Sequence, residues 1–316
     1  MSAGLKGLLA ALAFAASAAP ALAEYPDQPI TVVIPYQAGG GTDVLFRMYQ
    51  AALEEELGTS LVVEYAGGAA TLIGTQKALA APADGYTVLV TTSAIALNTI
   101  MVEGKPYTMD DVDIIAPLAQ YPYGLYVNDS QPFDDLEGFK AYAEANPGAL
   151  NYIHLGQGSP TRLLAARLAH SLGVELTPVS YPGSGPAQPD FYANRVQMQM
   201  ASGTSQYYDA PNTKTLAICA EERIALMPEV PTFKELGYPD MVGGTWFGLF
   251  APKGIPDEAR DKLRSAVAAA QTKIEKELAA TGHYPVPVSV DEFRAYIDAD
   301  LDLWREDLIR LGETVY

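Results

Sequence analysis

The chain repeatedly sets a short β-branched run directly before a glycine turn and then an amphipathic stretch. Ile30-Thr-Val-Val-Ile-Pro35 runs into Tyr36-Gln-Ala-Gly-Gly-Gly-Thr-Asp43, and Leu61-Val-Val-Glu-Tyr65 runs into Ala66-Gly-Gly-Ala-Ala-Thr71. A strand, a glycine turn and a helix N-terminus together aim free backbone N–H groups and a positive dipole end at one point. Such a point suits an anion, and two of them in one small domain suggest a carboxylate site built mostly from backbone.

The same device recurs downstream. Tyr152-Ile-His-Leu155 leads into Gly156-Gln-Gly-Ser-Pro-Thr161, with Ser159 as a candidate N-cap and Pro160 where a first-turn proline is tolerated. Thr177–Ser180 leads into Tyr181-Pro-Gly-Ser-Gly-Pro186, and Val196–Met200 into Ala201-Ser-Gly-Thr204. Five small-residue loops can therefore face one cleft.

Further strand candidates are 86–91, 114–118, 124–127, 150–155, 215–220 and 246–251, with helices near 42–57, 72–81, 134–146 and 160–173. The alternation predicts an α/β fold with largely parallel sheets. Asp257–Ala280 reads as one helix ending at Gly282. Ser289 and Glu292 form a capping box before a helix whose apolar face includes Phe293, Ile297, Leu301, Trp304 and Leu308. Trp304 is read as core.

Two Pro- and Gly-rich stretches, 120–124 and 237–244, look like crossings between domains. They divide the chain into a discontinuous first domain, 25–120 with 242–316, and a second domain, 121–241. Ligands of such folds bind in the cleft outside the carboxyl ends of the strands.

Met1 to Ala23 carries one basic residue, Lys6, an apolar alanine-rich run and a closing Ala21-Leu-Ala23. That pattern is a secretory signal peptide cleaved near Ala23, and it implies an exported, periplasmic mature chain. Cys219, the only cysteine, sits in an apolar run, so the protein is held by its core and the thiol is read as buried and inert.

The net charge of −18 repels nucleic acid and anionic lipid. It also attracts no anion from a distance, so a carboxylate ligand must be held by local dipoles. The glycine runs lack the Gly-Lys-Ser/Thr of a phosphate loop, and neither Ser159 nor Ser184 sits in a Gly-x-Ser-x-Gly elbow. His154, His170 and His283 are scattered without metal-ligand spacing, and His154 is read as a strand-end or core residue. No catalytic pair, metal or cofactor is expected. Asp43 has two open roles, bonding the turn and Arg47 at the helix start or touching the ligand. Arg162 is a possible counter-charge, with pairing to an acidic residue as the alternative.

Across nearly the whole mature chain the sequence resembles the substrate-binding proteins of tripartite tricarboxylate transporters, the Bug family. The resemblance is carried by Tyr25-Pro-Asp-Gln-Pro-Ile30, Pro35 to Asp43 with Arg47, Asp84-Gly-Tyr-Thr87 and Tyr181-Pro-Gly183. It continues in Met227-Pro-Glu-Val-Pro-Thr232 with Glu235 and Gly237, and in Trp246-Phe-Gly-Leu-Phe-Ala-Pro252. It implies a two-domain Venus-flytrap fold that closes on an organic carboxylate and delivers it to the large and small subunits of a membrane permease.

On that pattern the ligand contacts are Tyr36, Ala38, Gly40, Gly41, Thr42 and Asp43 in the first loop, with Gly68, Ala70 and Thr71 in the second. Thr92 and Ser93 follow the third strand, and Gly158, Ser159, Thr161, Tyr181, Ser202 and Gly203 close from the other domain. Thr71 stands where the family usually has glycine and adds a hydroxyl that can reach the ligand. Arg162 stands where a histidine is often found.

The abundance of tyrosine, 19 residues, points to an aromatic carboxylate such as terephthalate stacked on Tyr36, Tyr121, Tyr123, Tyr181, Tyr207 or Tyr208. The protein is expected to be a monomer. An exported enzyme, or a receptor signalling to a membrane sensor, are the alternatives.

Overall fold

The computed structural model describes residues 24–104, 106–202, 210–282 and 289–316. Residues 1–23, read from the sequence as a signal peptide, and Gly203, Thr204, Tyr207, Tyr208 and His283 lie outside the described residues. No helix among the described residues is long and apolar enough to cross a membrane.

Two five-stranded sheets carry the fold. The first contains β1 (Ile30–Ile34), β2 (Leu61–Tyr65), β3 (Thr87–Thr92), β4 (Val112–Pro122) and β10 (Gly244–Pro252), in the order β2-β1-β3-β10-β4. The second contains β5 (Gly124–Asn128), β6 (Asn151–His154), β7 (Thr177–Ser180), β8 (Met198–Ala201) and β9 (Thr213–Ile218), in the order β7-β6-β8-β5-β9. Each of the ten predicted strands is present.

The expectation of largely parallel sheets needs correcting. β1 runs parallel to β2 and β3, and β6 to β7 and β8, but β10 is antiparallel to β3 and β4, and β5 to β8 and β9. The reason is the crossing between sheets. β4 leaves the first sheet and β5 enters the second with only Tyr123 between them, and β10 returns through the same place in the opposite direction. There the Tyr123 N–H donates to the Gly243 carbonyl at 3.3 Å, and the Cys219 N–H donates to the Tyr123 carbonyl at 2.7 Å.

The helices are α1 (Gly41–Leu57), α2 (Leu72–Leu79), α3 (Ala94–Met101), α4 (Leu136–Ala145), α5 (Pro160–Leu172) and α6 (Ser184–Tyr192). In the C-terminal part come α7 (Asp257–Lys273), α8 (Glu275–Ala280) and α9 (Val290–Arg310). The single helix expected over 257–280 is interrupted at Ile274. α3 was not anticipated because Ala94–Met101 is apolar on nearly every face and six of its residues are buried. α6 was hidden by Pro186 and Pro189, the latter inside the helix.

Apolar spacing explains why the helices dock. Leu45, Phe46, Tyr49, Leu53 and Leu57 form the buried face of α1, which ends at Gly58 in a left-handed cap. α9 opens on the Ser289–Glu292 capping box and buries Phe293, Ile297, Leu301, Trp304 and Leu308. Trp304 therefore belongs to the core, as read from the sequence. Cys219 is buried in the core of the second sheet, and burial pushes its thiol up to about 12, leaving it protonated.

Candidate functional site

The turns between strands and helices place small polar residues around a cavity between the two sheets. The first sheet contributes Tyr36, Gly40, Gly41, Thr42, Thr92, Thr245 and Phe247, with Tyr123 from the crossing. The second contributes Ile153, Leu155, Ser159, Pro160, Thr161, Ser184, Gln199, Met200, Ala201 and Ser202. The cavity volume is about 70 Å³. That is several times the ~10–15 Å³ one water needs and about half of a ~150 Å³ pocket that admits benzene.

Three helix N-termini meet here: Gly40–Thr42 at α1, Ser159–Thr161 at α5, and Ser184 at α6. Gly40 and Gly183 cap α1 and α6 without any side-chain hydrogen bond. Ser159 caps α5 by accepting from the Arg162 N–H, as its position predicted, and donates its own hydroxyl to the Gly156 carbonyl at 2.7 Å. Uncapped first-turn N–H groups are free to meet an anion.

Hydroxyls complete the lining. The Tyr36 and Thr92 hydroxyls are 2.7 Å apart, and those of Ser93 and Thr245 are 2.9 Å apart. Burial pushes the Tyr36 phenol up to about 12, and burial also raises Tyr123, so both remain neutral donors. None of the described residues lining this cavity carries a charged side chain. No cluster of three potential metal ligands occurs among the described residues.

A second, adjoining cavity shares Tyr36 and Leu155 with the first and is lined by Gly68, Ala69, Ala70, Thr71, Gly156, Ser180, Tyr181 and Pro182. The five small-residue turns thus all reach one or other of these two cavities.

The candidates divide accordingly. Tyr36, Gly40, Gly41, Thr42, Thr92, Ser159, Thr161 and Ser202 line the main cavity, and Gly68, Ala70, Thr71 and Tyr181 the adjoining one. Ala38, Asp43, Ser93 and Gly158 line neither, and Gly203 lies outside the described residues. Asp43 turns inward: its carboxylate accepts from the Gly39 N–H at 2.8 Å, the Tyr65 hydroxyl at 2.8 Å and Arg47 Nε at 3.2 Å. Its place in the fold is the structural one of the two open roles. Ser93 supports the lining Thr245 rather than the cavity itself.

The Thr71 hydroxyl accepts from Asn98 Nδ2 at 3.1 Å and is buried. Its φ of +80°, like the +46° of Ala69 and +53° of Ala70, lies in the left-handed region that favours glycine. Arg162 pairs with Glu313 at 2.8 Å, which removes it as a free counter-charge. His154 receives the Gly156 N–H at 3.2 Å, and burial lowers its pKa. It lines neither cavity. Tyr121 bonds Thr281 at 2.8 Å and packs edge-on against Phe247, so of the described tyrosine candidates only Tyr36 and Tyr123 face the main cavity.

Sequence reasoning named Tyr123 as a stacking candidate but missed Ser184, Gln199 and Thr245. The signal for Gln199 was present: an amide alternating with buried Met198 and Met200 on a strand covered on both sides.

Residues 45–311 match the family described as "Tripartite tricarboxylate transporter family receptor". The chain belongs to this family. Protein BugT of Bordetella pertussis is 31% identical over 301 residues, which span 93% of this chain and 92% of that protein. The structure of periplasmic binding protein BugD superposes with a TM-score of 0.88 at 26% identity, covering 92% of this chain and 99% of BugD. The structure of R. palustris Rpa4515 with adipate gives 0.87 at 28% identity, covering 92% of this chain and 99% of the other. This family member therefore has the two-domain α/β fold of periplasmic binding proteins, and its receptor class is that of carboxylate-binding transport proteins.

Proposed function

We propose that this receptor is exported through cleavage near Ala23, works as a monomer, and captures an organic carboxylate by closing two lobes. The lobes are 25–120 with 242–316, and 121–241. It then hands the ligand to permease subunits in the membrane. The observation that carries this proposal is the convergence of three helix N-termini and a ring of neutral hydroxyls on a cavity without a charged lining residue among those described.

Magnitudes make such a site sufficient. A partly buried helix N-terminus contributes up to roughly 2 kcal/mol, and each hydrogen bond to a charged group about 1.5–3 kcal/mol. A few of these against the cost of association reach about micromolar affinity.

For the ligand class we favour an aliphatic acid over terephthalate. The main cavity of about 70 Å³ and the adjoining one of about 290 Å³ share Tyr36 and Leu155, so their size excludes neither class. The preference rests on the solved relative Rpa4515, whose adipate is aliphatic.

A thermal-shift screen of the mature protein against aliphatic and aromatic mono-, di- and tricarboxylates tests the proposal. Ligand binding to the native state raises the melting temperature with concentration. A shift with small aliphatic acids, recovered chemically intact, supports a receptor. No shift with any carboxylate, or conversion of the acid, sinks it.

A further inference from the structure

Gln199 stands at the middle of the second sheet, on β8 between Tyr126 of β5 and Ile153 of β6. It lines the main cavity and is 2% exposed. Gln188 of α6 donates through Nε2 to the Ser184 carbonyl at 3.3 Å and to Gln199 Oε1 at 3.4 Å. The Ser184 carbonyl only accepts, so it fixes which end of Gln188 bears the donors. That in turn directs the oxygen of Gln199 toward Gln188. The nitrogen of Gln199 is left buried with no hydrogen-bond partner among the described residues.

An amide donor locked in a central strand and left unpaired is costly in the ligand-free protein. It gains a partner only when something enters the cavity. Its register partner Ile153 is apolar, Ser184 is joined to it only through Gln188, and no cation lines the cavity among the described residues. A carboxylate offers about four lone-pair sites and a full charge, which one amide donor leaves mostly unsatisfied. A ketone, hydroxyl or amide oxygen is satisfied by one or two donors.

We infer that Gln199 Nε2 is the specificity-determining donor for an uncharged oxygen acceptor on the ligand end remote from its carboxylate. The receptor then selects an oxygen-substituted monocarboxylate over the matching dicarboxylate. This inference rests on the carboxylate-receptor proposal above.

The test is calorimetric titration of the full mature protein with isosteric acids at several chain lengths. At the shortest length these are 4-oxopentanoate, succinate and 4-methylpentanoate, which differ only in the group at the far end. Wild type should bind the oxo acid at least about tenfold tighter than either partner. Gln199→Met keeps length and volume. It should melt no lower than wild type without ligand, and should bind the oxo and methyl acids within about twofold of each other. Equal binding of the oxo acid and the dicarboxylate by wild type, or an unchanged preference in Gln199→Met, overturns the inference and leaves the receptor proposal standing. No binding by any acid at any length overturns both.

Discussion

Gly156, in the turn after β6, lies against Ala70, in the loop after β2, so closely that an added Cβ would stand 2.8 Å from the Ala70 Cβ. Two residues on, Gly158 meets Asn98 of α3, and a Cβ there would fall 2.0 Å from Asn98 Oδ1. Asn98 has no room to yield, because it is fully buried and its Nδ2 donates to the Ala70 carbonyl at 2.7 Å and to Thr71. The turn after β6 therefore meets Ala70 and Asn98 of the first sheet's side only because glycine leaves it bare.

Gly158→Ala should fold normally and bind poorly. Gly158 is outside the positive-φ region, so alanine meets no backbone strain there, only the contact with Asn98. We expect at least a tenfold loss of affinity for the best acid, because a closed state held off by a steric clash lowers apparent affinity by its lost population. Solution scattering should show the variant remaining extended at saturating wild-type ligand concentrations. Wild-type affinity in this variant contradicts the closure mechanism.

Arg167 of α5 and Asp307 of α9 form an ion pair at 3.2 Å with both side chains buried, tying the second sheet's helix to the C-terminal helix. Arg167→Met should destabilise the protein by roughly 3 kcal/mol in urea unfolding, at the lower end of losses for a broken buried pair. Arg310, which also bonds Asp307, limits the loss. The double variant Arg167→Met, Asp307→Leu should recover most of it. A double variant less stable than the single one contradicts this account.

Asp300 accepts from Trp246 Nε1 at 2.8 Å, yet burial pushes its carboxyl up to about 6. The native state thus holds a proton that an unfolded carboxyl of pKa ~3.9 has already released. Stability from this group falls as pH rises from about 4 to about 6 and stays low above that. Asp300→Asn should add on the order of 2–3 kcal/mol at pH 7 and little at pH 4. Equal effects on the urea midpoint at both values would show that Asp300 does not titrate in this way.

Ala69 is exposed and sits at φ +46°, first of three consecutive non-glycine residues in the left-handed region. Ala69→Gly should stabilise by about 0.5–1 kcal/mol, since relief of the left-handed conformation outweighs the entropy that glycine adds to the unfolded chain. A lower midpoint in chemical denaturation contradicts the strain.

Much of this architecture was legible in local signals. The β-branched runs and the Ser289–Glu292 box mark strands and a helix start because their energetics are decided within a few residues. Strand direction was not legible, because β5 and β10 are antiparallel through a crossing whose partners lie far apart in sequence. The five turns were visible as glycine-rich loops, and their meeting at one cleft follows from the fold. Asp43 had both a ligand and a scaffold role open from the sequence, and Tyr65, 22 residues away, completes its set of donors. Gln199 escaped notice because an amide on a strand acquires meaning only when its neighbours leave one donor unpaired.

The most direct test is calorimetric titration with the tightest-binding acid from the screen and with its methyl ester. Helix N-termini and neutral hydroxyls recognise a negative charge, so the acid should bind at about micromolar affinity and the ester at least about a hundredfold more weakly. An ester that binds as tightly as the acid would show that the convergent N-termini do not hold a carboxylate.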